Sequence, residues 1–527
     1  MRKIWEKRLL PAVAAAALAA LLCAAPAAQE LPEEAPPRTE AKISAWAAPE
    51  VAAAREAGWL SEEELGEDYT LPITRAQYAR MAVRFIAAQR GVDAETLLRE
   101  YGLDDPAAES PFSDTADPDI LLAEKLGIVK GDSGGTFRPE GHLTRAEAAM
   151  ILQRCMGLLG RSEANAAPKV FSDAYLMPRW AVEAIKFSSG RTTAEGAALM
   201  TGSGGAFRPG EDLSVEQAVL TLVRCGRSAA VEGVYEGWRA APGYDTVEIT
   251  LSFGGDCTFG RMRGGAYAGS FDEMYDKMGP AYFFSNVEEF HTDDLTMVNF
   301  EGALTTADTP REDKEFIFKG RPEYAKILEE GSVDVVTIAN NHARDYGNRG
   351  LADTIANLSP YVAVSGYERM PILTVKGVDV GFVSNLGWSF DTAQKQFITN
   401  AVRDLRARGA DVIVFNYHWG EERQYQSNAT QRAIAHYCID QGADLVIGHH
   451  PHVVQEVETY KGKTIVYSLG NLSFGGNRNP TDKNCLIFQQ TFVRDLNTGA
   501  VEAGESRAVP YKVSSVSNRN DYRPTPA

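Results

Sequence analysis

The chain has 527 residues, 44% of them hydrophobic and 24% charged, with a net charge of −18. That length exceeds what one hydrophobic core supports, so two or three domains are expected. So acidic a balance excludes nucleic acid and anionic membrane faces as the main partner.

The first element reads as an export signal. Arg2, Lys3, Lys7 and Arg8 precede an apolar run from Leu9 to Ala25, and Pro26-Ala27-Ala28 precedes Gln29. This order fits a signal peptide cleaved after residue 28. An uncleaved membrane anchor, or a lipoprotein through Cys23, is the alternative. Residues 29–43, rich in Pro, Glu and Ala, read as a linker. Cys155, Cys225, Cys257, Cys438 and Cys485 remain, with no CxxC pair, so no disulfide framework is expected.

Residues 44–230 repeat. Thr74-Arg75-Ala76-Gln77, Thr144-Arg145-Ala146-Glu147 and Ser214-Val215-Glu216-Gln217 recur at intervals of 70. Each is a capping box, in which a hydroxyl caps a helix start and a Gln or Glu reaches back. Phe137-Arg138-Pro139 and Phe207-Arg208-Pro209 keep the same interval, and Phe112-Ser113-Asp114 and Phe171-Ser172-Asp173 open the second and third units. The register sets Cys155 and Cys225 opposite Phe85, so both are expected as small buried hydrophobes. With Trp180-Ala181, these motifs resemble surface-layer homology (SLH) domains. The resemblance implies an all-α three-repeat module that binds secondary cell-wall polysaccharide, with Arg75 and Arg145 in an acidic-sugar groove. Val215 replaces that arginine in the third unit. The competing reading is that the arginines only pair with carboxylates on the helix faces.

Residues 231–245 form a connector with Gly233, Gly237, Pro242 and Gly243. From Thr246 short β-branched runs alternate with helical segments. The strands are expected at Val247–Phe253, Leu295–Val298, Val333–Ile338, Val362–Val364, Val378–Val383, Val412–Asn416, Leu445–Ile447, Thr464–Ser468 and Leu486–Phe492. The helices are expected at Pro322–Glu330, Gly350–Leu358, Asn400–Arg408 and Ala429–Gln441. Continuously apolar strands with helices between them indicate an α/β domain over 246–480, followed by a terminal strand and tail over 481–527.

Polar residues gather where these strands end: Asp256, Glu301, Asn340-Asn341-His342, His418 to Glu422, and His449-His450-Pro451-His452. Ligands bind outside the carboxyl ends of strands in open α/β sheets. Asp, Glu, Asn and His are donors for Mn, Fe or Zn, so one or two divalent ions are expected. Of the eight histidines, only His142, His291 and His436 lie away from these ends, and they read as structural.

The order of these donors resembles the calcineurin-like metallophosphoesterases. The segments GGDCTFG, NFEGALT, TIANNHARDYGNRG, NYHWGEE, GADLVIGHHPHVVQ and YSLGNLSF resemble their CapA-like, poly-γ-glutamate capsule branch. The resemblance implies a metallophosphoesterase-like α/β sandwich. It makes Asp256, Glu301, Asn341, His418, His450 and His452 metal ligands, and His342 a proton donor. Asp345, three residues on, either orients His342 or is a turn residue before Tyr346-Gly347. His449 is the alternative to His450, which is preferred because residues two apart at a strand end share a side. Glu421 and Glu422 either partner the ligands or lie in a solvated loop, and Asn471 either contacts substrate or holds a turn. The parent superfamily opens with Asp-x-His, whereas Asp256 is followed by Cys257-Thr258, so one imidazole is missing. The implied activity is hydrolysis of a phosphoester or a γ-glutamyl amide at the cell wall. The partners are an anionic capsule polymer or its precursor and capsule-synthesis membrane proteins. The alternative is a wall-anchored polymer-binding protein with a residual metal site.

Overall fold

The computed structural model describes residues 41–61, 65–105, 109–132 and 134–527. The expected export signal and most of the linker fall outside them. Among the described residues no helix is long and apolar enough to cross a membrane. The chain forms two compact units. One holds the described residues up to Lys169 with Trp180–Gly204 and Arg208–Ala241, and the other holds Val170–Arg179, Gly205–Phe207 and Pro242–Ala527.

The N-terminal unit is helical and built on the 70-residue register. Helices Arg75–Gln89, Arg145–Leu158 and Val215–Ala229 each start with a complete capping box. Just upstream, three equivalent residues close a ring of backbone hydrogen bonds. Ile73 N–H donates to Leu213 C=O (2.8 Å), Leu213 N–H to Leu143 C=O (2.8 Å), and Leu143 N–H to Ile73 C=O (3.1 Å). Each repeat thus satisfies polar groups that the next exposes. Phe85, Cys155 and Cys225 are all buried, as their shared register position requires.

The C-terminal unit is α/β. Its strands run β1 (Thr246–Thr258), β2 (Arg261–Met262), β3 (Leu295–Phe300), β4 (Ala303–Leu304), β5 (Phe318–Gly320) and β6 (Val335–Thr337). They continue with β7 (Ala363–Ser365), β8 (Ile372–Val375), β9 (Val378–Gly387), β10 (Val412–Trp419) and β11 (Leu445–His449). The last are β12 (Val457–Tyr460), β13 (Lys463–Val466), β14 (Asn471–Phe474), β15 (Asn484–Asp495), β16 (Val501–Lys512) and β17 (Thr525–Pro526). One sheet has the order β17-β16-β15-β1-β3-β6-β7, with β14 on the end of β1, and a second has the order β12-β13-β11-β10-β9-β8.

Alternation of side chains sorts the apolar residues into layers. Ile249, Leu251, Phe253, Leu295 and Met297 of the first sheet share one core with Val380, Val412, Val414, Leu445 and Ile447 of the second. The two sheets therefore pack face to face. On the outer faces, Val298, Phe300 and Val336 pack with Phe271, Ile327 and Leu358 from helical segments, and Ile413, Phe415 and Val446 with Ile398, Leu405 and Ile434.

Two expectations change. β15 pairs antiparallel with β1 from Thr246 to Phe253, and β16 and β17 extend that sheet. The boundary at 480 therefore falls inside one sheet, and the last residues are a structural edge rather than a tail. The helix expected from Asn400 begins at Thr392, because the Asp391 side chain accepts from Gln394 N–H and caps it earlier.

Candidate metal centre

The parity that builds the inter-sheet core also aims the polar residues. In β3, Leu295 and Met297 face that core, so Asn299 and then Glu301 follow them. In β10, Val412 and Val414 lead to His418. In β11, Leu445 and Ile447 lead to His449. β1 breaks the rule. Its pairing with β3 shifts register between Gly254 and Asp256, which is a β-bulge. The shift turns Asp256 inward and sends Cys257 into the outer core. Gly255 permits the close strand approach here, since a Cβ would lie 1.9 Å from the Gly470 carbonyl oxygen.

Backbone contacts seat Glu301 beside β1. Its N–H donates to Cys257 C=O (2.8 Å), and its own C=O accepts from the Thr258 hydroxyl (2.8 Å). Glu301 is fully buried, and its Oε1 has no hydrogen-bond partner. Three imidazole Nε2 atoms face this oxygen: His342 at 3.8 Å, His418 at 3.8 Å and His452 at 3.9 Å. Asp256 lies alongside, 3.1 Å from His452 Nδ1 and 3.5 Å from His449 Nδ1. The Asn341 side-chain oxygen is 2.8 Å from His418 Nε2. Spacings of 3–4 Å among buried oxygen and nitrogen donors are those of atoms sharing a cation with bonds near 2 Å. An unpaired buried carboxylate oxygen is otherwise costly. The donor set thus fits a divalent ion.

Electrostatics agrees. Burial raises the Glu301 carboxyl, and the Asp256 charge adds to the rise. Burial would also raise Asp256, but its bonds to His449 and His452 prevail and hold it well below the usual carboxylate range. Burial keeps His418 and His450 neutral, the latter pushed down to about 4. Neutral imidazole is the form that binds metal.

The structure brings Asp256, Glu301, Asn341, His342, His418, His449, His450 and His452 to one place. Strand alternation does not choose between His449 and His450. The chain leaves β11 after His449, and His450 (φ +98°) and His452 (φ +55°) adopt left-handed backbone. His449 lies near Asp256, while His450 packs against the His418 ring with centroids 4.6 Å apart. Asn341 and His342 likewise follow a short strand in a turn, His342 facing the Glu301 carboxylate and Asn341 meeting His418. His342 Nδ1 bonds Asp345 Oδ2 at 2.8 Å, and Asn471 Oδ1 is 2.9 Å from His452 Nδ1. Of the two adjacent glutamates, Glu422 and not Glu421 has its carboxylate with His450 and His452.

Motif reading gave no role to three further residues. Asn299 Nδ2 donates to Asp256 Oδ1 (2.7 Å) and lies 3.4 Å from His418 Nδ1, so it orients both. Only its strand parity with Leu295 and Met297 signals this. Lys314 Nζ bonds Asp345 Oδ1 (2.6 Å) and Asn341 C=O (2.9 Å) and lies 3.1 Å from His342 Nδ1. Trp388 sets its ring edge-to-face against His450 at 4.8 Å. The last two come from loops distant in sequence.

In the helical unit, a groove of about 350 Å³ is lined by Arg75, Lys130, Arg138, Glu147, Arg154 and Trp180, among others. Arg75 pairs with Glu147 at 2.8 Å, donates to Phe137 C=O at 2.9 Å, and lies over the Phe137 ring. Arg145 lies outside this groove and donates to Thr201 C=O at 2.7 Å. Val215 is buried.

Residues 250–475 match the family model described as bacterial capsule synthesis protein PGA_cap, and residues 110–149 match the S-layer homology domain. The chain is 28% identical over 308 residues to the PGA biosynthesis protein CapA of Bacillus subtilis (strain 168), covering 53% of this chain and 78% of that one. It is 28% identical over 284 residues to the capsule biosynthesis protein CapA of Bacillus anthracis, covering 48% and 66%. A crystal structure described as a novel phosphatase from Mycoplasma pneumoniae aligns with 13% identity and a TM-score of 0.33, over 52% of this chain and 95% of that one.

Proposed function

We propose that this chain, a member of the PGA_cap capsule-synthesis family that carries S-layer homology repeats, is an exported, wall-anchored hydrolase that uses divalent metal. Its substrate is the capsule polymer poly-γ-glutamate or another anionic wall polymer. The observation that carries this reading is the buried, unpartnered Glu301 Oε1 faced by three imidazole nitrogens.

Asp256, Glu301, Asn341, His418, His452 and one or both of His449 and His450 would hold the ions. Bound ions would contribute activation of a water and neutralisation of developing negative charge. Asn299 fixes the Asp256 carboxylate and the His418 ring. Asp345 holds His342 through Nδ1, which leaves Nε2 toward the carboxylate cluster to pass a proton to the leaving group. Lys314 fixes Asp345 in turn. Phe316, Phe318, Tyr425 and Phe474 line the cleft beside His342 and His452.

The test is metal analysis of the full chain coupled to hydrolysis of a generic phosphodiester and of poly-γ-glutamate. Stoichiometric metal with metal-dependent turnover supports the reading, and a chain that binds no metal overturns it. A second reading, polymer binding without turnover, draws on the missing imidazole after Asp256. It predicts that the polymer binds and is released unchanged.

A further inference from the structure

We propose that Arg423 determines substrate specificity: its guanidinium receives a carboxylate of the polymer next to the bond presented to the histidines. The cleft thereby selects a polymer whose repeat combines apolar methylene groups with one pendant carboxylate. The inference rests on the hydrolase reading and names the feature of the substrate that the site reads.

Of the Asp, Glu, Lys and Arg residues, only Glu422, Arg423 and Asp482 line the cleft beside His342 and His452. Both carboxylates are engaged. That of Glu422 lies with His450 and His452, and Asp482 accepts from the Tyr425 hydroxyl (2.9 Å) and from Asn484 N–H (2.9 Å). Arg423 is not engaged. Its side chain makes no hydrogen bond or ion pair among the described residues, and its charge acts on the neighbouring Tyr425 phenol. On a chain with a net charge of −18, such a cation gives an anionic polymer a local point of attraction.

The loop is pinned while the tip of the side chain stays free. β10 ends at Trp419, Gly420 (φ +79°) turns the chain, and Arg423 is itself left-handed (φ +62°), which is uncommon for a residue with a Cβ. Arg423 N–H donates to Pro451 C=O at 2.7 Å, between His450 and His452. The Gln455 side chain donates to Gln424 C=O (2.8 Å) and Gln426 C=O (3.2 Å). A fixed backbone lowers the ordering cost of binding, and the planar guanidinium fork matches the two oxygens of a carboxylate. Tyr425 and Phe316 line the same cleft and are 60% and 48% exposed. Exposed aromatic faces that share a cleft suit apolar groups of a ligand. A γ-linked glutamate chain offers paired methylenes there, whereas a glycerol phosphate chain carries oxygen on every carbon. The carboxylate polymer is therefore the better occupant.

The experiment measures, by calorimetry on the full chain, binding of a γ-linked glutamate trimer, the same trimer with its α-carboxylates converted to carboxamides, and a glycerol phosphate trimer. Wild type should prefer the acid trimer to the carboxamide by about tenfold or more. Arg423→Gln should weaken the acid trimer by about tenfold and leave the carboxamide as it was. Arg423→Lys should recover part of the loss. Arg423 is exposed, so metal content and the unfolding midpoint should be the same in all three proteins. A wild type without preference for the acid trimer overturns the carboxylate site and leaves the hydrolase reading standing. So does an Arg423→Gln variant that loses nothing, loses both glutamate trimers equally, or loses only glycerol phosphate. A wild type that holds no metal overturns the hydrolase reading, while the trimer comparison still decides the role of Arg423.

Discussion

Asp256 and Cys257 are neighbours in sequence that face opposite cores: the carboxylate meets the imidazoles between the sheets, and the thiol packs behind the first sheet. The β-bulge before Asp256 causes the division. Burial also pushes the thiol well above its ordinary range, so no thiolate nucleophile forms there. Cys257→Ala should keep metal content and turnover while lowering stability by about 1 kcal/mol. Cys257→Ser should cost more, roughly 1–3 kcal/mol, because it buries a hydroxyl in an apolar layer. Loss of turnover in Cys257→Ala with metal still bound would show that the thiol takes part.

Asn341 and His342 should separate by their effect on metal. Asn341→Ala should weaken metal binding. His342→Asn should retain metal and slow turnover by about 10²–10⁴-fold, the usual contribution of a general acid. A substrate whose leaving group needs no proton should partly restore the His342→Asn rate. Metal loss from a stably folded His342→Asn would make His342 a ligand instead.

Lys314 braces His342 directly, with Nζ 3.1 Å from its Nδ1, and through Asp345 and the Asn341 carbonyl. Lys314→Met should therefore reduce turnover through misplacement of His342, with its metal affinity less affected than that of Asn341→Ala. Lys314→Arg should recover part of the rate. Equal rates with good and poor leaving groups, relative to wild type, would instead mark Lys314 as merely structural.

Metal binding should release a proton. Burial opposes the His452 imidazolium, but Glu301 and Asp256 outweigh it and raise the ring to about 10. The metal-free chain then holds that proton at neutral pH, and a bound ion requires the ring without it. Affinity should rise with pH toward about 10, by roughly tenfold per unit for one proton. Calorimetry in buffers of different ionisation enthalpy measures the release, and His452→Asn should abolish that share of it. A binding enthalpy that is the same in every buffer would contradict the assignment.

Arg75 is the groove arginine, while Arg145 lies elsewhere. Arg75→Gln should weaken binding to purified cell-wall polysaccharide and leave turnover of a soluble substrate unchanged. Arg145→Gln should have the smaller effect on wall binding. Equal retention of both variants on the polysaccharide would remove Arg75 from the site.

The sequence by itself determined what depends on local periodicity. The 70-residue interval placed three capped helices, and apolar runs located the strands that carry Glu301, His418 and His449. Those features arise from neighbours a few residues apart, where spacing and geometry are coupled. Tertiary structure decided the rest. Whether Asp256 or Cys257 faces the histidines depends on a register shift against β3. Whether Glu421 or Glu422 meets His450 depends on how the loop after β10 turns at Gly420 and packs beside Pro451. Asn299, Lys314 and Trp388 entered the centre because separate segments converge there. The two ends of each such contact are fixed by packing between distant parts of the chain, so no local spacing encodes it.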